Sequence, residues 1–259
     1  MPLALVTGGA RRLGRAMAVY LAQRGWDVAV HYASSQSDAE ETVAAIRALG
    51  REAHAFPADI LDEAQTQALI PIVAAHFGQP VTCLINNASI FEYDRLETAS
   101  RESWDRHFES NLRAPFVLTQ EMAKHVPDPL SDDFGEPVAQ GLVVNLIDQR
   151  VRKLTPEFMT YTLAKMGLWA FTRTAAQGLA PRVRVNAIGP GPTLQGGRQS
   201  PDHFQKQRSN TVLGRGANTS DVTAALGFLL ESPAVTGQLI CVDGGQHLGW
   251  KTPDILGLE

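Results

Sequence analysis

Residues 2–14 read Pro-Leu-Ala-Leu-Val-Thr-Gly-Gly-Ala-Arg-Arg-Leu-Gly, a pattern that points to one class of protein. The run from Pro2 to Thr7 is short and apolar, as in a buried strand, and a helical pattern follows through Arg24. The turn between them begins at Gly8 and ends at Gly14, and its glycines let the backbone approach a pyrophosphate. The N–H groups at the start of the helix would bind this anion. A strand, a glycine turn and a helix in this order predict a dinucleotide site.

Apolar strand-like runs alternate with helical patterns along the rest of the chain. Because this alternation requires a parallel sheet covered on both faces, we predict one α/β domain over 1–259, a Rossmann-type doubly wound sheet of about seven parallel strands. The predicted strands span 2–7, 27–32, 52–56, 81–86, 140–147, 182–188 and 238–242.

Two stretches break the alternation. Residues 127–141, rich in Pro, Asp and Gly, should form a surface excursion. The irregular stretch 189–216 follows the carboxyl end of a strand, where α/β sheets bind ligands, so we predict a mobile substrate lid at 193–213. The alternative is a disordered loop without a catalytic role.

Composition limits the possible partners. The chain carries 23 basic and 27 acidic residues, a net charge of −4, without a basic run longer than a pair. We therefore expect a small-molecule substrate and no nucleic acid. Because no segment approaches the roughly 20 apolar residues of a membrane span, we expect no membrane association and a cytoplasmic location. The seven histidines show no metal-ligand spacing, so we predict no metal.

The charge around the dinucleotide site indicates which cofactor binds. NAD sites place an acid at the end of the second strand, but this strand ends His31-Tyr32-Ala33-Ser34-Ser35, and the first acid is Asp38. Arg11 and Arg12 also stand in the turn, so a 2′-phosphate would meet cations and hydroxyls. The predicted cofactor is NADPH, although Arg11 could instead be a solvated surface residue.

Tyr161 and Lys165 are the best candidates for chemistry. At positions i and i+4 they share a helical face, and a nearby cation lowers the pKa of a phenol toward the working range. The pair could also be an exposed amphipathic turn. Asp148 stands 13 residues upstream of the tyrosine. It could be a structural acid that pairs with Arg150 or Arg152.

These motifs together resemble the short-chain dehydrogenase/reductase family over nearly the whole chain. They are the turn beginning at Thr7, Asn86-Asn87-Ala88-Ser89, Asn111, Tyr161 with Lys165, Pro190-Gly191 and Asp243-Gly244-Gly245. Two departures narrow the resemblance, because Arg12 replaces the middle glycine of the turn and Asp148 replaces the usual catalytic serine. With His31-Tyr32 and Phe91, they resemble the pteridine reductase and dihydromonapterin reductase branch.

The resemblance implies roles for individual residues. It makes Asp148, Tyr161, Lys165 and Asn111 catalytic, with Lys165 also on the cofactor ribose and Asn111 anchoring a water relay. The implied cofactor residues are Gly8, Arg11, Arg12, Leu13, Gly14, His31, Tyr32, Ser34, Ser35, Ile60 and Thr193, together with Asp59 at the adenine, Asn86 and Ala88 on the ribose side, and Pro190 and Gly191 at the nicotinamide. The implied substrate residues are Arg12, Ser89, Phe91, Asp148 and Tyr161. Phe91 could instead be a core aromatic.

The carboxylate at position 148 also bears on the reaction. The usual serine donates a hydrogen bond to a ketone oxygen, which an ionised Asp148 cannot do. Reduction of a C=N bond needs a proton at nitrogen, which Asp148 and Tyr161 could supply. We therefore predict an NADPH-dependent reductase of a pteridine, dihydropterin or dihydrofolate. The alternatives are a reductase of ketones, sugars or acyl thioesters and a non-catalytic nucleotide sensor.

The family resemblance further implies a homotetramer. We expect contacts through the helices predicted at 101–126 and 157–179 and through the C-terminal strand, with the tail 246–259 against a neighbouring subunit.

Overall fold

The computed structural model describes residues 2–197 and 199–252. Its main element is a parallel seven-stranded sheet with the strand order β3-β2-β1-β4-β7-β8-β9. The strands are β1 (Leu3–Val6), β2 (Asp27–Tyr32), β3 (Ala53–Pro57), β4 (Val81–Asn86), a short hairpin of β5 (Leu130–Ser131) and β6 (Pro137–Val138), then β7 (Gly141–Leu146), β8 (Val183–Pro190) and β9 (Leu239–Val242). The predicted Rossmann-type fold is confirmed.

Helices cover both faces of the sheet, because successive side chains of a strand point to opposite sides. The helices are α1 (Arg12–Gln23), α2 (Gln36–Arg47), α3 (Glu63–Phe77), α4 (Arg101–Phe108), a π-helical segment (Glu109–Arg113), α5 (Ala114–His125), α6 (Met159–Leu179), α7 (Pro201–Ser209) and α8 (Thr219–Glu231). Ala4 and Val6 of β1 pack with α1, α2 and α8, whereas Leu3 and Leu5 pack with α3, α5 and α6. Across the described ranges, no helix combines the length and apolarity that crossing a bilayer requires.

The two irregular stretches differ from their predictions in part. Residues 127–140 run along the surface, as predicted, and contain the β5–β6 hairpin. The stretch 189–216 is not irregular throughout, because α7 lies inside it, begun by the side chain of Ser200, which accepts a hydrogen bond from the His203 N–H. No described residue of α7 is buried, so no apolar face marks it in the sequence. Within the predicted lid, Arg198 lies outside the described residues.

Candidate active site

A cleft of about 750 Å³ opens at the carboxyl ends of the strands, beside the β1–α1 turn. The predicted residues that line it are Gly8, Arg11, Arg12, Leu13, Gly14, His31, Tyr32, Ser34, Ser35, Asp59, Ile60, Ala88, Ser89, Phe91, Asp148, Pro190, Gly191 and Thr193. Four others, Asn86, Asn111, Tyr161 and Lys165, are buried behind this lining. The structure therefore brings the predicted residues together in one place.

The glycine turn is shaped to receive a phosphate. Gly8 has a φ of +59°, and a Cβ added at Gly14 would overlap the Gly8 carbonyl, so only glycine allows α1 to start so close to the turn. Arg11, the residue before the helix, makes no capping hydrogen bond with its side chain, and the first turn contains no acid. The start of α1 therefore offers N–H groups to an anion.

His31 supports this turn from below. The Gly8 N–H donates to Nδ1 at 3.0 Å, and Nε2 lies 3.0 Å from the Ala58 carbonyl oxygen. Nε2 must then carry the proton of a neutral ring. Burial lowers the pKa of His31 to about 4. The His31 ring lines the cleft, but both of its nitrogens are hydrogen-bonded to the backbone of Gly8 and Ala58.

We expect the stability of the protein to depend on His31 in acid. The folded state binds fewer protons at this ring than the unfolded chain between pH 6.5 and about 4. The free energy of unfolding should therefore be highest above pH 6.5 and fall by about 3 kcal/mol as the pH drops to 4. Urea unfolding of His31→Gln should show a smaller fall. His203→Gln, at an exposed position of α7, is the control and should keep the full pH dependence.

The two arginines of the turn point to different places. Arg11 Nη2 donates to Ser35 Oγ at 2.5 Å, at the end of β2, where a 2′-phosphate would be expected. Arg12 instead donates to the carbonyl oxygens of Gln195 and Leu194 in the predicted lid, at 2.8 and 3.0 Å. Its φ of 55° is a left-handed conformation that favours glycine and explains why glycine is usual at this position.

Asp148 and Tyr161, two of the predicted catalytic residues, are hydrogen-bonded to each other. The Tyr161 hydroxyl donates to Asp148 Oδ2 at 3.2 Å, and Asp148 Oδ1 accepts from the Arg150 N–H at 2.8 Å. Burial raises the pKa of Asp148. The Arg150 guanidinium turns away to Thr155 and the Glu157 carbonyl. Asp148 therefore makes its contact with the tyrosine rather than an ion pair with this arginine.

The expected effect of Lys165 on Tyr161 is wrong for this structure. Burial, followed by the neighbouring Asp148, raises the pKa of Tyr161 well above its ordinary value. Lys165 Nζ lies 5.7 Å from the centre of the phenol ring and donates to the Leu146 carbonyl at 2.7 Å. Burial lowers the pKa of Lys165 itself to about 8. Tyr161 is only 5% exposed, so the pair is no exposed amphipathic turn.

The side chains of two neighbouring asparagines at the end of β4 lie in different places. The Asn86 side chain is buried and donates to Asn145 Oδ1 at 2.8 Å, so it does not line the cleft. Its neighbour Asn87 does, and donates to the Thr7 and Gly8 carbonyls at 2.9 and 3.1 Å. Asn86, the last residue of β4, directs its side chain to the neighbouring strand, and Asn87 directs its side chain to the cleft. Because both are asparagines, residue type alone does not distinguish them.

Asn111 lies in the π-helical segment and is fully buried. Its Nδ2 donates to the carbonyls of Ile90 and His107 at 2.9 and 3.1 Å, and its Oδ1 accepts from Ser89 Oγ at 2.6 Å. It therefore fixes the loop that follows β4.

Phe91 stands in the cleft wall and is 43% exposed, so it is not a core aromatic. Its ring stacks on Phe158 at 4.2 Å with an interplanar angle of 12° and meets the Tyr161 ring edge-on at 4.7 Å. The cleft is also lined by residues that were not predicted individually, among them Gln149 and Gln246, and by Gln199, Phe204 and Gln207 from the predicted lid. The adjacency of Gln149 to Asp148 was the only available signal for that residue.

Comparisons with known proteins agree with this architecture. A family model described as enoyl-(acyl carrier protein) reductase matches residues 8–247. The 3-oxoacyl-(acyl-carrier-protein) reductase FabG of Staphylococcus aureus is 32% identical over 250 residues, which cover 95% of this chain and 98% of that protein.

Solved structures give similar matches. FolM alternative dihydrofolate reductase 1 from Brucella canis, complexed with NADP, is 42% identical with a TM-score of 0.90, covering 98% of this chain and 97% of that one. A short chain dehydrogenase from Burkholderia cenocepacia, in complex with NADP, is 31% identical with a TM-score of 0.84, covering 95% and 97%. The predicted resemblance is confirmed, and the chain belongs to the short-chain dehydrogenase/reductase family of oxidoreductases.

Proposed function

We propose that this protein is an NADPH-dependent reductase of the C=N bond of a dihydropterin or dihydrofolate. The proposal rests on the carboxyl group of Asp148, which accepts a hydrogen bond from Tyr161 at 3.2 Å in the position where a serine is usual. Likeness to the FolM alternative dihydrofolate reductase supports it.

The cleft fits the cofactor. Gly8, Gly14 and the start of α1 would hold the pyrophosphate, and Arg11 with Ser35 would hold the 2′-phosphate. Complexes of FolM and of the Burkholderia dehydrogenase with NADP support this assignment. When bound, NADPH supplies a hydride for the carbon of the C=N bond.

The protein's own part is the proton that the nitrogen must receive. Burial raises the pKa of the Asp148 carboxyl, which makes it easier to protonate, and the Tyr161 hydroxyl is hydrogen-bonded to it, so the two groups can pass a proton to the nitrogen. Serine lacks this capacity, because its hydroxyl is too weak an acid to give up a proton. The pair therefore suits reduction at nitrogen better than reduction of a ketone.

The remaining lining suits a planar heterocycle. The exposed part of Phe91 offers an aromatic surface for stacking, and the amide groups of Gln149 and Gln207 offer polar atoms for the ring edges. The segment 193–213, to which Arg12 is hydrogen-bonded, would act as the lid.

A substrate panel tests the proposal. NADPH oxidation should be fastest with dihydrobiopterin or dihydrofolate and slow with acetoacetyl-CoA. Likeness to FabG favours the thioester as the second candidate. Preference for acetoacetyl-CoA would replace the proposed function by ketone reduction.

Arg11 should set the preference for NADPH over NADH. Arg11→Ala removes a charge-assisted phosphate contact, so kcat/KM for NADPH should fall roughly 10- to 100-fold while that for NADH stays nearly unchanged. Arg15→Ala is the matched control, because Arg15 lies four residues further along, on α1, and pairs with Glu41 outside the cleft. Equal efficiency of both cofactors in the unmodified enzyme would contradict the assignment.

We also propose a homotetramer. Trp104, Leu163 and Met166 are partly exposed apolar residues on α4 and α6, and β9 is an edge strand of the sheet. Such surfaces are suited to self-association. Residues 253–259 of the predicted tail contact lie outside the described residues. Light scattering at micromolar concentration should give the mass of four chains, and the mass of one chain would rule the tetramer out.

A further inference from the structure

The helix that carries Tyr161 and Lys165 is not capped by the residue before it. Phe158 precedes α6 in a left-handed conformation, with φ 56° and ψ 49°, and its side chain offers no capping group. The N–H groups of a first helical turn need partners from elsewhere. Asp94, 66 residues upstream of Thr160, supplies one, because its Oδ1 accepts from the Thr160 N–H at 3.2 Å. Its backbone carbonyl accepts from the Phe158 N–H at 2.8 Å.

A directional hydrogen-bond network extends from this contact. The Glu92 N–H donates to His107 Nε2 at 3.0 Å, so the neutral ring carries its proton on Nδ1 and donates to Thr160 Oγ1 at 2.6 Å. Thr160 Oγ1 then donates to Asp94 Oδ2, which also accepts from Ser103 Oγ at 3.3 Å. Asp94, His107 and Thr160 are each at most 2% exposed.

This network joins the two walls of the cleft's substrate end. Glu92 and Asp94 closely follow Phe91, whereas Phe158 stacks on Phe91 and Thr160 precedes Tyr161. A left-handed backbone is unfavourable for a phenylalanine and persists only where its surroundings hold it. The hydrogen bonds to Asp94 are such a constraint.

We propose that Asp94 is a positioning residue that acts on catalysis through Tyr161. It holds the first turn of α6 so that the Tyr161 hydroxyl stays on Asp148 and the Phe158 ring stays against Phe91. This role applies to any substrate that the Tyr161 hydroxyl serves, so it does not depend on the pterin proposal.

Asp94→Asn, which keeps the shape of the side chain, tests this role. Asp27→Asn is the matched control. Asp27 is also buried, and it accepts hydrogen bonds from Arg51 Nη2 at 2.6 Å and from the Glu52 N–H at 2.9 Å. It lies at the amino end of β2, whereas the cleft lies at the carboxyl ends of the strands. Both variants should lose thermal stability. At a temperature where both are folded by circular dichroism, only Asp94→Asn should lower kcat, by about tenfold or more, with the KM for NADPH nearly unchanged.

Two further measurements separate positioning from a purely structural role. Thr160→Val should reproduce the loss of kcat, and the double variant with Asp94→Asn should lose little more, because both residues belong to one network. Hydrogen exchange of peptides spanning 158–162 should accelerate in Asp94→Asn and not in Asp27→Asn.

Unchanged kcat in Asp94→Asn, or an equal loss in Asp27→Asn, would overturn the inference. Kinetics are measured with dihydrobiopterin and with acetoacetyl-CoA. If the unmodified enzyme reduces only the thioester, the pterin proposal fails and the kcat comparison still tests Asp94. If it reduces neither, hydrogen exchange of residues 158–162 is the remaining test: faster exchange in Asp94→Asn alone supports the inference, and unchanged exchange overturns it.

Discussion

Tyr161→Phe is expected to lower kcat roughly 10²- to 10⁴-fold for every substrate that the enzyme reduces. The substitution removes the hydroxyl that donates to Asp148 and leaves the ring that packs edge-on against Phe91. The fold and the dissociation constant for NADPH should therefore stay nearly unchanged. Steady-state kinetics and a fluorescence titration with NADPH measure the two quantities separately.

Tyr93→Phe is the matched control for this variant. Tyr93 packs edge-on against Phe158, at 5.2 Å, but it is 51% exposed and its hydroxyl donates to Glu157 at 3.5 Å rather than to Asp148. Its kcat should remain that of the unmodified enzyme. If Tyr161→Phe retained full kcat as well, the phenol would have no part in proton transfer.

Substitutions of Asp148 should affect the reduction of a dihydropterin and the reduction of a ketone differently. Asp148→Asn cannot hold the proton for a ring nitrogen, so turnover of a dihydropterin should fall by roughly 10²-fold or more while NADPH binds nearly as before. Asp148→Ser restores a hydroxyl that can stabilise a developing alkoxide. Its activity on a simple ketone should therefore rise while reduction of the dihydropterin stays poor.

Asp105→Asn provides the control for Asp148. Asp105 lies on α4 and pairs with Arg101 on the surface, so this variant should keep both activities. Full dihydropterin turnover by Asp148→Asn would remove the mechanistic support for the pterin proposal. A Ser variant without ketone activity would instead show that the site lacks another group that ketone reduction needs.

The sheet could be predicted because its strands are buried on both faces. Continuous apolar runs such as 81–86 then stand out from the helical patterns around them. The helix α7 could not be predicted, because none of its described residues is buried and the sequence therefore shows no apolar period there.

Most residues of the candidate site could be predicted from the sequence, but the contacts between them could not. The local spacing of Tyr161 and Lys165 indicates a shared helical face, whereas the contact with Asp148 depends on where β7 ends. That contact and burial reverse the direction of the tyrosine's pKa shift. Likewise, the contact between Thr160 and Asp94 joins residues 66 positions apart, which no local pattern could indicate.

The hydrogen bonds of Arg12 have a consequence for how this enzyme could diversify. Its guanidinium donates to the main-chain oxygens of Leu194 and Gln195 and, among the described residues of the segment 193–213, to no side chain. Because every residue type carries a carbonyl, side chains at 194 and 195 can be exchanged without loss of these two bonds. The attachment of this segment to Arg12 and the side chains that the segment presents are thus separable during evolution: one arginine preserves the first, while the second are free to change.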